Sequence, residues 1–77
     1  MTIDLKPTDI FAIAIALRES AKSAYIDERL VAASCDYDRA SRFYSLINNH
    51  ARAEQCAALS AAIVNEIAAR STEEETE

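Results

Sequence analysis

No glycine occurs anywhere in the 77 residues, and the only proline is Pro7. Glycine supplies the left-handed backbone on which tight hairpin turns, β-bulges and phosphate-cradling loops depend, so its absence removes those architectures from the folds open to this chain. What remains is rich in Ala, Leu, Glu, Arg and Lys, the residues that lose least on entering a helix. The predicted class is all-α.

Apolar residues make up 51% of the chain, but sixteen of them are alanine, so the predicted core is thin and its elements closely spaced. A chain this short also buries a smaller fraction of its surface than a longer one. The sequence therefore predicts one domain over residues 1–72, a helical hairpin that needs a second copy of itself or a partner to complete its core. The formal charge of -5 is largely local, because Glu73, Glu74, Glu75 and Glu77 carry four of the negative charges. Residues 73–77 have no apolar side chains to bury and read as an acidic, disordered tail.

The first helix is predicted to start near Pro7 and Thr8, where proline suits the first turn and Thr8 or Asp9 can cap free N–H groups, and to stop near Ala33. Phe11 to Leu17 alternates with period two, a strand signal, yet the alternate residues are alanines and no turn residues bound the run, so it is read as helix. At about 100° per residue, Ile10, Ile13, Leu17, Ala21 and Ala24 share one face while Phe11 and Ile15 fall on another flank. A helix with two apolar faces wants two neighbours, and a two-helix hairpin supplies one. Phe11, Ile13, Ile15 and Leu17, with Leu59, Ile63 and Ile67 farther along, are accordingly the predicted self-association residues of a dimeric bundle.

Farther on, Ile26, Leu30 and Ala33 lie opposite the first stripe, so the helix is expected to bend or break near Tyr25, with Asp27 as a cap and Ile26 and Val31 in staple spacing. A tight turn near Cys35 then leads into a second segment opening at Ser34 or Asp36 and running to about Arg70. That segment also changes face: Ala40, Phe43, Tyr44, Ile47 and Ala51 form one stripe, and Cys56, Leu59, Ile63 and Ile67 another. The switch falls at Asn48-Asn49-His50, where asparagine suits a cap or a left-handed stop, and a true break there gives three or more helices. In a hairpin turning near residue 35 the two switches lie at one level and count as one structural event. The alanines at 51, 57, 58, 61, 62, 68 and 69 then offer either a smooth intermolecular seam or simple solvent-facing filler.

Two cysteines, Cys35 and Cys56, are too few for a stapled secreted framework, and such a hairpin places them about 30 Å apart at 1.5 Å per residue. They are read as reduced thiols in a cytoplasm. The apolar run Ile10–Leu17 is far shorter than the ~20 residues of a membrane span, and its acidic flanks do not suit a secretory signal. No membrane association is expected.

No catalytic set, phosphate loop or dinucleotide fingerprint is present, so the expected protein is not an enzyme and takes no cofactor and no small-molecule substrate. His50 and Glu54 sit one turn apart, but two groups are short of the ligands a zinc site needs, and no metal is expected. The densest mixture of interface-type side chains is Tyr37-Asp-Arg39-Ala-Ser-Arg42-Phe-Tyr44, which makes Tyr37, Arg39, Arg42 and Tyr44 the candidate partner-binding residues. Arginine beside aromatic rings also suits single-stranded RNA, but a nearly neutral body lacks a phosphate-binding footprint, so nucleic acid is disfavoured.

In composition the chain is similar to the small, helical, glycine-poor accessory proteins of phages and plasmids, which implies a homodimer that binds and modulates or inhibits a host protein. In size and expected hairpin topology it also resembles the Rop family of dimeric plasmid copy-number regulators, which implies the alternative of RNA regulation. A purely structural assembly subunit is the third expectation. Neither resemblance assigns a residue.

Overall fold

The computed structural model describes residues 6–75, with side chains as far as Ser71. Among them three helices and no strand occur: α1, Pro7–Ile26; α2, Leu30–Leu46; and α3, His50–Glu75. The all-α expectation holds, and the breaks anticipated near Tyr25 and Asn49 are the two inter-helix turns. No helix among the described residues is long and apolar enough to cross a membrane.

Helix α1 opens at Pro7 as expected, where the missing proline N–H costs nothing. The cap differs in detail. The Asp9 carboxylate accepts the Lys6 backbone N–H at 3.4 Å, reaching back from the third helical position. Both interior turns end a helix in the same way, with a left-handed residue that is not glycine: Glu28 at φ 62° and Asn48 at φ 60°. In each, the following N–H bonds back to the helix: Arg29 to the Ala24 carbonyl at 2.8 Å, and Asn49 to the Tyr44 carbonyl at 2.9 Å. This pattern satisfies carbonyls that a helix end leaves free. Asn49 then starts the next helix, its side-chain oxygen accepting the Arg52 N–H at 3.4 Å. The two asparagines thus divide the roles of stop and cap. Asp27, by contrast, ends α1 instead of capping α2, and Ile26 and Val31 are 79% and 64% exposed, so no hydrophobic staple forms.

The turn expected near Cys35 is absent. Ser34, Cys35 and Asp36 lie inside α2, where the Ser34 hydroxyl donates to the Val31 carbonyl at 2.9 Å instead of capping a new helix. The chain is therefore a three-helix bundle and not a two-helix hairpin, and the Rop-like topology does not apply. The two face changes mark opposite ends of α2 and are two events. Cys35 sits mid-helix and exposed, Cys56 is buried, and both are free. Measured from the turn at Asn48, their heights differ by about five residues, roughly 8 Å at 1.5 Å per residue, so the 30 Å separation falls with the turn that implied it. Helix α3 continues past Arg70 to Glu75. The rest of the acidic segment, residues 76 and 77, lies outside the described residues.

Helix α2 is the centre of the bundle and packs along both neighbours. Opposed runs of α1 and α2 are tied by the Ser20 hydroxyl donating to Asp36 at 2.9 Å. Two more serines join α2 to α3: Ser41 donates to the Ala53 carbonyl at 2.8 Å and Ser60 to the Ser34 carbonyl at 2.9 Å. Helices α1 and α3 run parallel and meet through side chains, Phe11 with Arg52 at one end and Tyr25 with Glu66 at the other, each pair 41 positions apart. The α1 face that meets α3 thus repeats every seven residues, as Phe11, Arg18 and Tyr25.

The core is as thin as the composition implies. Alanines 14, 21 and 24 of α1 and Ala33 and Ala40 of α2 are buried almost completely, so small side chains floor the contact between these helices and let their axes approach closely. Tyr44 and Cys56 are the largest fully buried side chains. The alanine seam is intramolecular, and its residues are not those singled out on α3. Alanines 51, 57, 58, 61, 62, 68 and 69 are all exposed.

Candidate functional site

The sequence grouped Ile13 and Leu17 with a dimer seam, and Arg39 and Arg42 with a separate partner-binding tip. The fold brings these two sets together. Ile13 and Leu17 on α1, with Arg39, Arg42, Phe43 and Leu46 on α2, line an open groove of about 510 Å³ along the outside of the α1–α2 pair. The antiparallel run sets the register: Ser20 opposite Asp36 brings Leu17 to Arg39 and Ile13 to Phe43. The floor is apolar, with Leu46 68% exposed at one end. Along the lip run two guanidinium groups whose stems can lie on apolar surface while the charge stays in water. Arg42 pairs with Asp38 at 3.1 Å in an exposed i, i+4 ion pair. Arg39 makes no ion pair among the described residues. Leu46 was not among the expected site residues, since as the last residue of α2 it falls outside both predicted stripes.

Tyr37 and Tyr44 are not part of this surface. They are 5% and 0% exposed, because residues 37, 40, 41 and 44 form the inner face of α2 while 39, 42, 43 and 46 turn outward. Burial raises the Tyr37 phenol above its ordinary pKa, helped by Cys56 and Glu19 and opposed by Arg18. Tyr44 meets Phe11 edge-to-face with ring centroids 6.1 Å apart, and the Arg52 guanidinium lies 5.1 Å from the Phe11 ring centre and 5.9 Å from that of Tyr44. The Tyr44 hydroxyl and the Arg18 Nε are buried without a hydrogen-bond partner among the described residues.

The other expected self-association residues disperse. Phe11, Leu17 and Ile67 pack partly buried on the core, Ile63 is in it at 4% exposure, and Ile15 is half-buried on the α3 side of α1. Leu59 and Ile63 instead line a hollow of about 210 Å³ with Tyr25, Tyr37 and Glu66. The Tyr25 hydroxyl donates to Glu66 Oε2 at 3.1 Å across it, and Arg70 donates to Glu66 Oε1 at 3.1 Å from the next turn. The hydrogen bond to Glu66 and that carboxylate's charge raise the Tyr25 phenol above its usual range. The reason for expecting a dimer was that α1 has two apolar faces and one neighbour. In this fold α3 of the same chain meets one of these faces, through Phe11 with Arg52 and Tyr25 with Glu66, while Ile13 and Leu17 on the other line the open groove.

Cys56 lacks the surroundings of a nucleophile. Burial lifts the Cys56 thiol above its ordinary pKa, with nearby Arg18 opposing the shift, which leaves it protonated and enclosed. His50 opens α3 and is exposed, as is Glu54. Comparison with protein-family models, with curated proteins and with solved structures finds no match for the chain.

Proposed function

We propose that the protein is a non-enzymatic interaction module that binds another protein in the cytoplasm and modulates or inhibits it, and that the α1–α2 groove is its docking face. The observation that carries this reading is the exposure of Leu46 beside Phe43, Ile13 and Leu17 under two arginines, in one open groove along the outside of the α1–α2 pair. A few apolar anchors rimmed by arginine are the composition of interface centres. Two arginines beside four apolar side chains, on a chain of net charge -5, favour protein over nucleic acid.

The test is affinity purification from the native host with the parent chain and with Leu46→Gln. An exposed helical Leu-to-Gln change is expected to leave folding within about 0.5 kcal/mol. A protein retained by the parent and lost with the variant supports the groove. An unchanged set of bound proteins would move the docking face elsewhere.

A further inference from the structure

The α1–α2 pair has two long grooves. On the side of one, α3 packs along α2 and reaches α1 through Phe11 with Arg52 and Tyr25 with Glu66; the other, lined by Ile13, Leu17, Phe43 and Leu46, is open. The walls of the open groove are helices whose backbone groups are already hydrogen-bonded within each helix, so they offer no edge to which an extended segment could add as a strand. A bound strand would leave its own N–H and C=O groups unpaired against an apolar floor, at the cost of burying unsatisfied polar groups. A helix satisfies its backbone internally, and α3 already packs along α2 on the opposite side in that way.

The charges on the lip select among helices. Arg39 has no ionic partner among the described residues, and the Arg42–Asp38 pair is exposed at 78% and 51%, so either arginine can take a new carboxylate at little loss. The two are three residues apart on α2, one turn, which matches carboxylates one turn apart on a facing helix. A second copy docking by the same face would present this same arginine-rimmed patch and so less negative charge to the lip than a partner carrying carboxylates. From these observations we propose that the groove receives a short amphipathic helix of a different protein, with apolar anchors at i, i+3/i+4 and i+7 and Asp or Glu flanking them, completing a four-helix arrangement. This rests on the groove being the docking face.

Two synthetic helical peptides serve as probes, each with a leucine stripe at that spacing, one flanked by glutamates and the other by lysines. Binding is read by fluorescence anisotropy at low salt and located by amide chemical-shift changes on the isotopically labelled chain. The glutamate peptide should bind at least tenfold more tightly than the lysine peptide, with shifts centred on residues 13–17 and 39–46. In Arg39→Glu/Arg42→Glu, two exposed changes checked by circular dichroism, the preference should invert. Equal binding of both peptides at the groove would overturn the acidic-helix assignment and leave the docking face standing. Binding of neither, or shifts confined to α3, would overturn both. Shifts in residues 13–17 and 39–46 that grow with protein concentration in the absence of peptide would identify a second copy as the occupant and overturn the proposal of a different protein.

Discussion

Replacing Ala21 with Leu tests the close approach of α1 and α2 directly. Ala21 is fully buried, and its neighbour Ser20 is held 2.9 Å from Asp36, so at this level α2 lies against α1 with room for a methyl group and no more. Leucine adds an isopropyl group that must either leave its preferred rotamer or push the helices apart, an overpacking cost of about 1–3 kcal/mol. The total stability of a chain this long is roughly 4–12 kcal/mol, so the loss is a large part of it. With a urea slope near 1 kcal/mol/M for a small domain, the unfolding midpoint should fall by about 1–3 M. The control is Ala61→Leu on the exposed side of α3, where the helix propensities of the two residues are nearly equal and the midpoint should hold. Helicity followed by circular dichroism across the titration reads both. If Ala21→Leu melts with the parent, the tight alanine seam does not exist and the helices have space between them.

Two further perturbations address the turn chemistry and the α1–α3 contact. Glu28→Gly should raise the unfolding midpoint, since Glu28 holds a left-handed φ of 62° that costs a residue with a Cβ about 1 kcal/mol and glycine nothing; a lower midpoint would mean that Glu28 makes a compensating interaction. The Tyr25 pKa is raised on folding, first by its hydrogen bond to Glu66, so the native chain holds that proton more tightly than the unfolded one and its contribution, complete below about pH 10, is lost as pH rises through the folded value. Tyr25→Phe should therefore lose less stability than the parent between about pH 9 and pH 11. Curves that stay parallel across that window would show that the Tyr25–Glu66 contact does not form in solution.

The features that the sequence determined are those set by local chemistry. Helical class follows from residue propensities and the missing glycines, neither of which needs a partner to act. The start at Pro7 and the stop at Asn48-Asn49 are readable because proline and asparagine have backbone preferences of their own. The two apolar faces of α1 were likewise legible from spacing alone. Glu28 was not readable as a left-handed stop, because nothing in a glutamate marks one and only the packing of α1 and α2 around it holds it there. Ser34 and Asp36 looked like a helix start, since short polar side chains compete with the helix in isolation. In the folded chain Ser34 bonds back to Val31, its carbonyl accepts Ser60, and Asp36 accepts Ser20, so both residues are retained inside α2 by neighbours distant in sequence. Moving the turn from residue 35 to residues 27–29 changed every long-range pairing. It placed Tyr37 and Tyr44 inside, set Ile13 and Leu17 against Arg39 and Phe43, and brought α3 to the side of α1 that carries Phe11 and Tyr25. A helix stripe gives the direction of a face; which face it meets depends on where the chain reverses, and that is fixed by the free energy of packing all three helices together.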